Sequence, residues 1–184
     1  MTTLRNEAKK IAEALLDAAE VEKPPVSFDP IIVWVKYNLK FDLTVINDSN
    51  FLSRNGLSGK LVRMGTRVFI LINNREPVTR QRFTLAHEFG HLMESHDVAH
   101  MSQVMPAGYN KERFADIFAT ELLMPADIVK TEWSKLRGII NPAIVQYNLA
   151  KIFNVSNEAM GYRLNELGLQ SKQWAGIKVP PVYQ

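Results

Sequence analysis

Gln81-Arg82-Phe83-Thr84-Leu85-Ala86-His87-Glu88-Phe89-Gly90-His91-Leu92-Met93 is the stretch on which the reading of this 184-residue chain turns. From Pro77 onward the apolar period becomes 3.6: Phe83, Ala86, Phe89, Gly90 and Met93 fall on one helical face. Upstream the pattern is different. Residues 41–46 alternate and are β-branched, which predicts a strand ended by Asn47-Asp48-Ser49-Asn50. Residues 61–64 and 67–72 flank Gly65-Thr66 and predict a β-hairpin. Downstream, helices are expected over 109–123, 127–136, 142–153 and 156–167, the last closing on Gly168. Before the strands, residues 1–21 carry Leu4, Ala8, Ile11, Leu15 and Ala18 at helical spacing, interrupted by Glu7, Glu13, Asp17 and Glu20. That predicts a surface helix rather than a signal peptide, which needs an unbroken apolar core. Asp29-Pro30 reads as an N-cap followed by proline, opening a short helix over 31–38. Strands first and helices after give an α+β class.

Composition narrows the chemistry. The chain has 22 basic and 19 acidic residues and no cysteine. Disulfide frameworks, cysteine zinc fingers, iron–sulfur clusters and cysteine nucleophiles are thereby excluded, and any metal site must use His and carboxylate. The longest apolar runs, 31–35 and 68–72, are far short of the roughly 20 residues that span a bilayer, so a cytoplasmic protein is expected. Charge is uneven: residues 30–82 hold 9 basic and 3 acidic groups, while 83–125 hold 2 and 6.

His87-Glu88-x-x-His91 lies in that acidic segment. Residues four apart on a helix are neighbours, about 5–6 Å between Cβ atoms, so both imidazoles can meet one ion. Glu88, rotated about 100° from His87, stands beside such an ion and can take a proton from its water. With 4 His and 12 Glu in the chain, chance would produce this motif roughly 0.5% of the time. A catalytic zinc site needs three protein ligands and an open position. The metzincin third ligand, a His six residues past His91, is absent, because Asp97 stands there. The helix over 109–123 offers Glu112 as third ligand and Asp116, four residues on, to hydrogen-bond a ligand His.

Taken together, His87-Glu88-x-x-His91, Glu112-x-x-Ala115-Asp116 and Phe118-Ala119-Thr120-Glu121-Leu122-Leu123-Met124-Pro125 resemble the ImmA/IrrE-type bacterial metallopeptidases, which are gluzincin-like. Residues 81–86 and the hairpin end Ile72-Asn73-Asn74 share the likeness, which covers about residues 5–168. The resemblance implies a zincin-like mini-domain with a small antiparallel-type sheet or hairpin. It implies metal on His87, His91 and Glu112 and Glu88 as general base. Zinc is the implied ion, with manganese or another divalent metal as substitutes. Relatives often carry a second carboxylate two residues after the ligand Glu; here Phe114 stands there. The C-terminal sensor domain of the longer relatives is expected to be absent.

Two lobes are expected: 1–125, the peptidase domain with its N-terminal helix, and 126–184, a C-terminal helical lobe packed on it. The segment 149–169 has helix-turn-helix spacing, with Ser156 capping its second helix and Lys151, Arg163 and Lys172 adding charge. Against a DNA-reading role, 156–167 holds Glu158 and Glu166 beside a single Arg163, too little cation for phosphate contacts. The expected function is a metal-dependent endopeptidase. By family resemblance its substrate is a cytoplasmic protein such as an XRE-type helix-turn-helix repressor or an antitoxin encoded nearby. The alternatives are a non-cutting repressor-binding module and, third, a direct DNA-binding protein. Strand 67–72 is a candidate edge for an extended substrate. Tyr109, His96 and His100 are the available oxyanion donors, none of them singled out.

Overall fold

The computed structural model describes residues 2–96, 101, 105, 108–136, 139 and 141–169. His100, Lys172 and the rest of 170–184 lie outside them. The described residues form eight helices and one three-stranded sheet: α1 (Thr2–Ala18), α2 (Phe28–Asn38), β1 (Asp42–Asp48), α3 (Phe51–Arg54), β2 (Gly59–Met64), β3 (Arg67–Asn73), α4 (Val78–His96), α5 (Lys111–Leu123), α6 (Ala126–Lys135), α7 (Pro142–Phe153) and α8 (Asn157–Glu166). The α+β class holds.

The sheet is mixed rather than antiparallel. β2 and β3 form the expected antiparallel hairpin, with Leu61 opposite Ile70, and Gly65 adopts φ +64° in the turn. β1 pairs with the other side of β3 in parallel, Leu43 opposite Val68. The order is β1-β3-β2, so β3 is central and buries Val68, Ile70 and Ile72. Alternation reports which face is buried; it carries no strand direction.

Several boundaries move. β1 runs on to Asp48, whose Oδ1 then accepts the backbone N–H groups of Asn50 and Leu52 and opens α3, a single turn with no period of its own to announce it. α2 begins at Phe28, not Ile31, with Ser27 rather than Asp29 at the N-cap. Phe28 is drawn into the helix because its ring stacks on Phe89 in the core, centroids 5.9 Å apart; Pro30 stays within the first turn, where its missing N–H costs nothing. α5 begins at Lys111, because the Asn110 side chain caps it by accepting from the Arg113 N–H at 2.9 Å. α1 is more than a surface helix: Ala8, Ala12, Leu15 and Leu16 are buried, and the helix packs along α5.

The most extensive helix pair is α4 with α5. Phe89 and Leu92 from one, and Phe114, Phe118 and Leu122 from the other, are fully buried, each contributing about 1.5–3 kcal/mol by leaving water. The two backbones meet at Gly90: a Cβ there would lie 2.9 Å from the Ala115 Cα. No helix among the described residues is long and apolar enough to cross a membrane.

Candidate metal centre

His87 and His91 are one turn apart on α4, and Glu112 sits in the first turn of α5. The Gly90–Ala115 contact, between the two pairs in sequence, holds the helices close enough for all three to converge. His87 Nε2 and His91 Nε2 are 3.0 Å apart. Glu112 Oε2 is 3.3 Å from His87 Nε2, and its Oε1 is 3.4 Å from His91 Nε2. Bonds of about 2.0–2.1 Å at tetrahedral angles would set donor atoms roughly 3.3–3.4 Å apart. The two imidazoles and the carboxylate are therefore near enough to hold one metal ion between them. Among the described residues this is the group of His and carboxylate side chains able to hold a metal.

Asp116, one turn beyond Glu112, places Oδ1 2.9 Å from His87 Nδ1. That contact holds the Nδ1 proton and leaves Nε2 as the lone-pair donor facing the ligand group. Glu88, next to His87 but buried, lies against β2, where a Cβ on Gly59 would come within 3.2 Å of its Oε1. Burial pushes its carboxyl above the ordinary value and Glu112 adds to this, against the nearby His87 and the Leu61 backbone N–H that donates to it. Burial pushes the His91 imidazole down, which favours the neutral, ligating form.

Two features near the site give no local sequence signal. Gly59, the first residue of β2, lies against α4: a Cβ there would meet Thr84 Cγ2 at 2.3 Å and Glu88 Oε1 at 3.2 Å. Glycine at a strand start is the only hint the sequence offers of such a close approach. Glu94, one turn past His91, accepts from the Tyr109 hydroxyl at 2.5 Å and from Lys111 Nζ at 2.7 Å. This cluster around the buried Glu94 ties the end of α4 to the start of α5, immediately before Glu112. It also engages Tyr109, whose hydroxyl is pushed up by burial and by Glu94; His96 instead packs edge-on against Phe41.

A cleft of about 750 Å³ is lined by His87, Glu88, Glu112 and Asp116. Gly59 and Ser58 line one part of it, α4 and α5 its floor, and α8 the remainder. Strand 67–72 is not an edge, because β3 is paired on both sides; β2 borders the sheet beside α4. The helix-turn-helix geometry itself forms: Asn154 takes φ +51° between α7 and α8, and Ser156 Oγ accepts from the Ala159 N–H at 3.1 Å. Arg163, counted in the sequence as a cation for DNA, is 1% exposed. Its guanidinium donates to both carboxylate oxygens of Glu121, at 2.9 and 2.5 Å, to the Met124 carbonyl at 2.9 Å and to Glu166 at 3.1 Å. Glu166 is also paired with Arg5 of α1.

Residues 46–165 match the family model described as the IrrE N-terminal-like domain. The chain belongs to this metallopeptidase family. The matched span of the IrrE-like domain runs from β1 to α8 and includes His87, His91, Glu112, Glu88 and Asp116. A solved Mycobacterium tuberculosis transcriptional regulator has the same fold, with a TM-score of 0.61 at 18% identity. The alignment covers 94% of this chain and 49% of that one, so the chain spans about half the length of that relative. No curated protein sequence matches it.

Proposed function

We infer that this IrrE-like domain is a metal-dependent endopeptidase that cuts a specific cytoplasmic protein, with zinc as the working ion and manganese as the alternative. The observation that carries this is the convergence of two imidazoles and one carboxylate: His87 Nε2 and His91 Nε2 are 3.0 Å apart, with Glu112 Oε2 3.3 Å from the first and Oε1 3.4 Å from the second, and His87 and Glu112 line a cleft. A divalent ion held there supplies a Lewis acid for the scissile carbonyl and lowers the pKa of a water to about 7.

The remaining chemistry belongs to the chain. Asp116 fixes the His87 tautomer through the 2.9 Å contact. Glu88 takes the proton of the attacking water and returns it to the departing amine; a carboxyl raised by burial is suited to both halves of that transfer. The outer edge of β2 offers backbone groups to an extended substrate, and Glu88 is already tied to that strand at Leu61.

For the substrate, family resemblance supports an XRE-type helix-turn-helix repressor or an antitoxin encoded beside the gene. The test is incubation of the purified chain with that neighbouring protein, with zinc or manganese and with chelator, followed by mass spectrometry of the products. Metal-dependent fragments that vanish in Glu88→Gln, while that variant keeps its metal, are the expected result. A stable complex without fragments would replace the peptidase by a repressor-binding module. Fragments that persist undiminished in Glu88→Gln would refute the role given to Glu88. Sequestration of Arg163 by Glu121 removes the cation on which direct DNA binding through α8 would lean.

A further inference from the structure

On the cleft wall, one charged side chain stands without a partner among the described residues. Arg80 is spent on Glu76, 3.9 Å from its Oε2, and on the Ser58 hydroxyl. Arg163 and Glu166 belong to the network with Glu121 and Arg5. Glu112 and Asp116 face the two histidines, and Glu88 faces Leu61. Glu158 is exposed and makes no hydrogen bond or ion pair among the described residues. Tyr162, one turn further along α8, lines the same cleft, is 70% exposed and has no ring or hydrogen-bond partner there either.

Residues four apart share a helix face, so a carboxylate and an aromatic ring stand side by side on the wall of the cleft that His87 and Glu112 also line. That pairing recognises one class of guest. A lysine or arginine side chain can place its charge against the carboxylate and its stem and cation over the ring; an acidic side chain would meet a bare carboxylate. The cleft's own cations do not compete for the place, since both are engaged.

We propose that Glu158 and Tyr162 of α8 form a specificity subsite for a basic side chain of the substrate peptide. The proposal rests on the endopeptidase reading for the word substrate, and its test separates the two. The probes are two fluorescein-labelled pools of randomised nonapeptides, one with lysine fixed at the centre and one with glutamate. Binding is read by fluorescence anisotropy to zinc-loaded, full-chain Glu88→Gln protein at 0.15 M salt. The lysine pool should bind roughly fivefold to tenfold tighter, as an exposed ion pair combined with a cation–π contact allows. Glu158→Lys should invert the preference, and Tyr162→Ala should cut it a few-fold without inverting it. Asp127→Lys, the same charge change at an 89% exposed site outside the cleft, should leave it alone.

Equal preference in Glu158→Lys and its parent, equal loss in Asp127→Lys, or binding of neither pool would overturn the subsite. Chain with Glu88 intact is assayed for cleavage of the neighbouring protein. Charge-selective peptide binding without cleavage of that protein supports the subsite and overturns the peptidase reading instead.

Discussion

Replacing Arg163 by methionine isolates the contact that fastens α8 to the helix bearing Glu112. The guanidinium is 1% exposed and makes four hydrogen bonds, two of them to a Glu121 that is itself only 3% exposed. Methionine keeps much of the volume of the arginine stem but strands the Glu121 carboxylate, and removing one partner of a buried pair costs about 3–5 kcal/mol. Glu166 is less affected because Arg5 remains. In a chain of this size each kcal/mol moves the melting temperature by about 2–4 °C, so Tm should fall by about 6–20 °C. The melt is followed by circular dichroism in chelator, so that metal binding does not add its own stabilisation. The double variant Arg163→Met/Glu121→Leu should recover to within about 1 kcal/mol of the parent, since an apolar replacement of a buried pair is often neutral. A single variant that loses less than about 1 kcal/mol, or a double variant no more stable than the single, would refute the assignment of this pair as the anchor.

Three further outcomes are expected. Asp116→Asn should weaken zinc binding about tenfold, the low end for a carboxylate behind a ligand histidine because its side chain is 59% exposed; competition against a chromogenic chelator reads this, and an unchanged affinity would remove Asp116 from the site. Gly59→Ala should destabilise the chain by about 1–3 kcal/mol, because its Cβ would fall 2.3 Å from Thr84 Cγ2; urea melts should show Thr84→Ser restoring part of the loss, and no restoration would locate the strain elsewhere. Burial alone would raise the Glu94 carboxyl, but Lys111 and the Tyr109 hydroxyl outweigh it and hold it below its ordinary 4.5. Its contribution is thus complete above that value and lost as pH falls through the lowered folded value. Glu94→Gln should flatten the acid side of the stability curve between about pH 5 and pH 3, and parallel urea-derived curves for the two proteins would refute this.

What the sequence made legible was chemistry confined to one helix. The spacing of His87 and His91 is a local fact, and so is the neighbourhood of Glu88. The partnership with Glu112 and Asp116 depends on how two helices cross, and spacing alone left it as an offer; resemblance supplied the role. The direction of β1 was invisible because alternating side chains look the same in a parallel and an antiparallel neighbour. α3 has only four residues, too few for a period. The early start of α2 was decided by Phe28 finding Phe89, a long-range contact that overrode a plausible cap at Asp29. Arg163 was the most misleading residue: an arginine on a helix after a tight turn reads as a surface cation until its partner Glu121, 42 positions away, is known.

The contact at Gly90 bears on how the three ligand side chains are brought together. With hydrogen in place of a methyl, the axes of α4 and α5 sit close, and that separation sets the bite between the imidazoles on one and the carboxylate on the other. Even one added carbon would meet the Ala115 backbone at 2.9 Å and push the helices apart. The smallest residue in the motif thus acts as a spacer, setting how near the carboxylate on one helix comes to the imidazoles on the other.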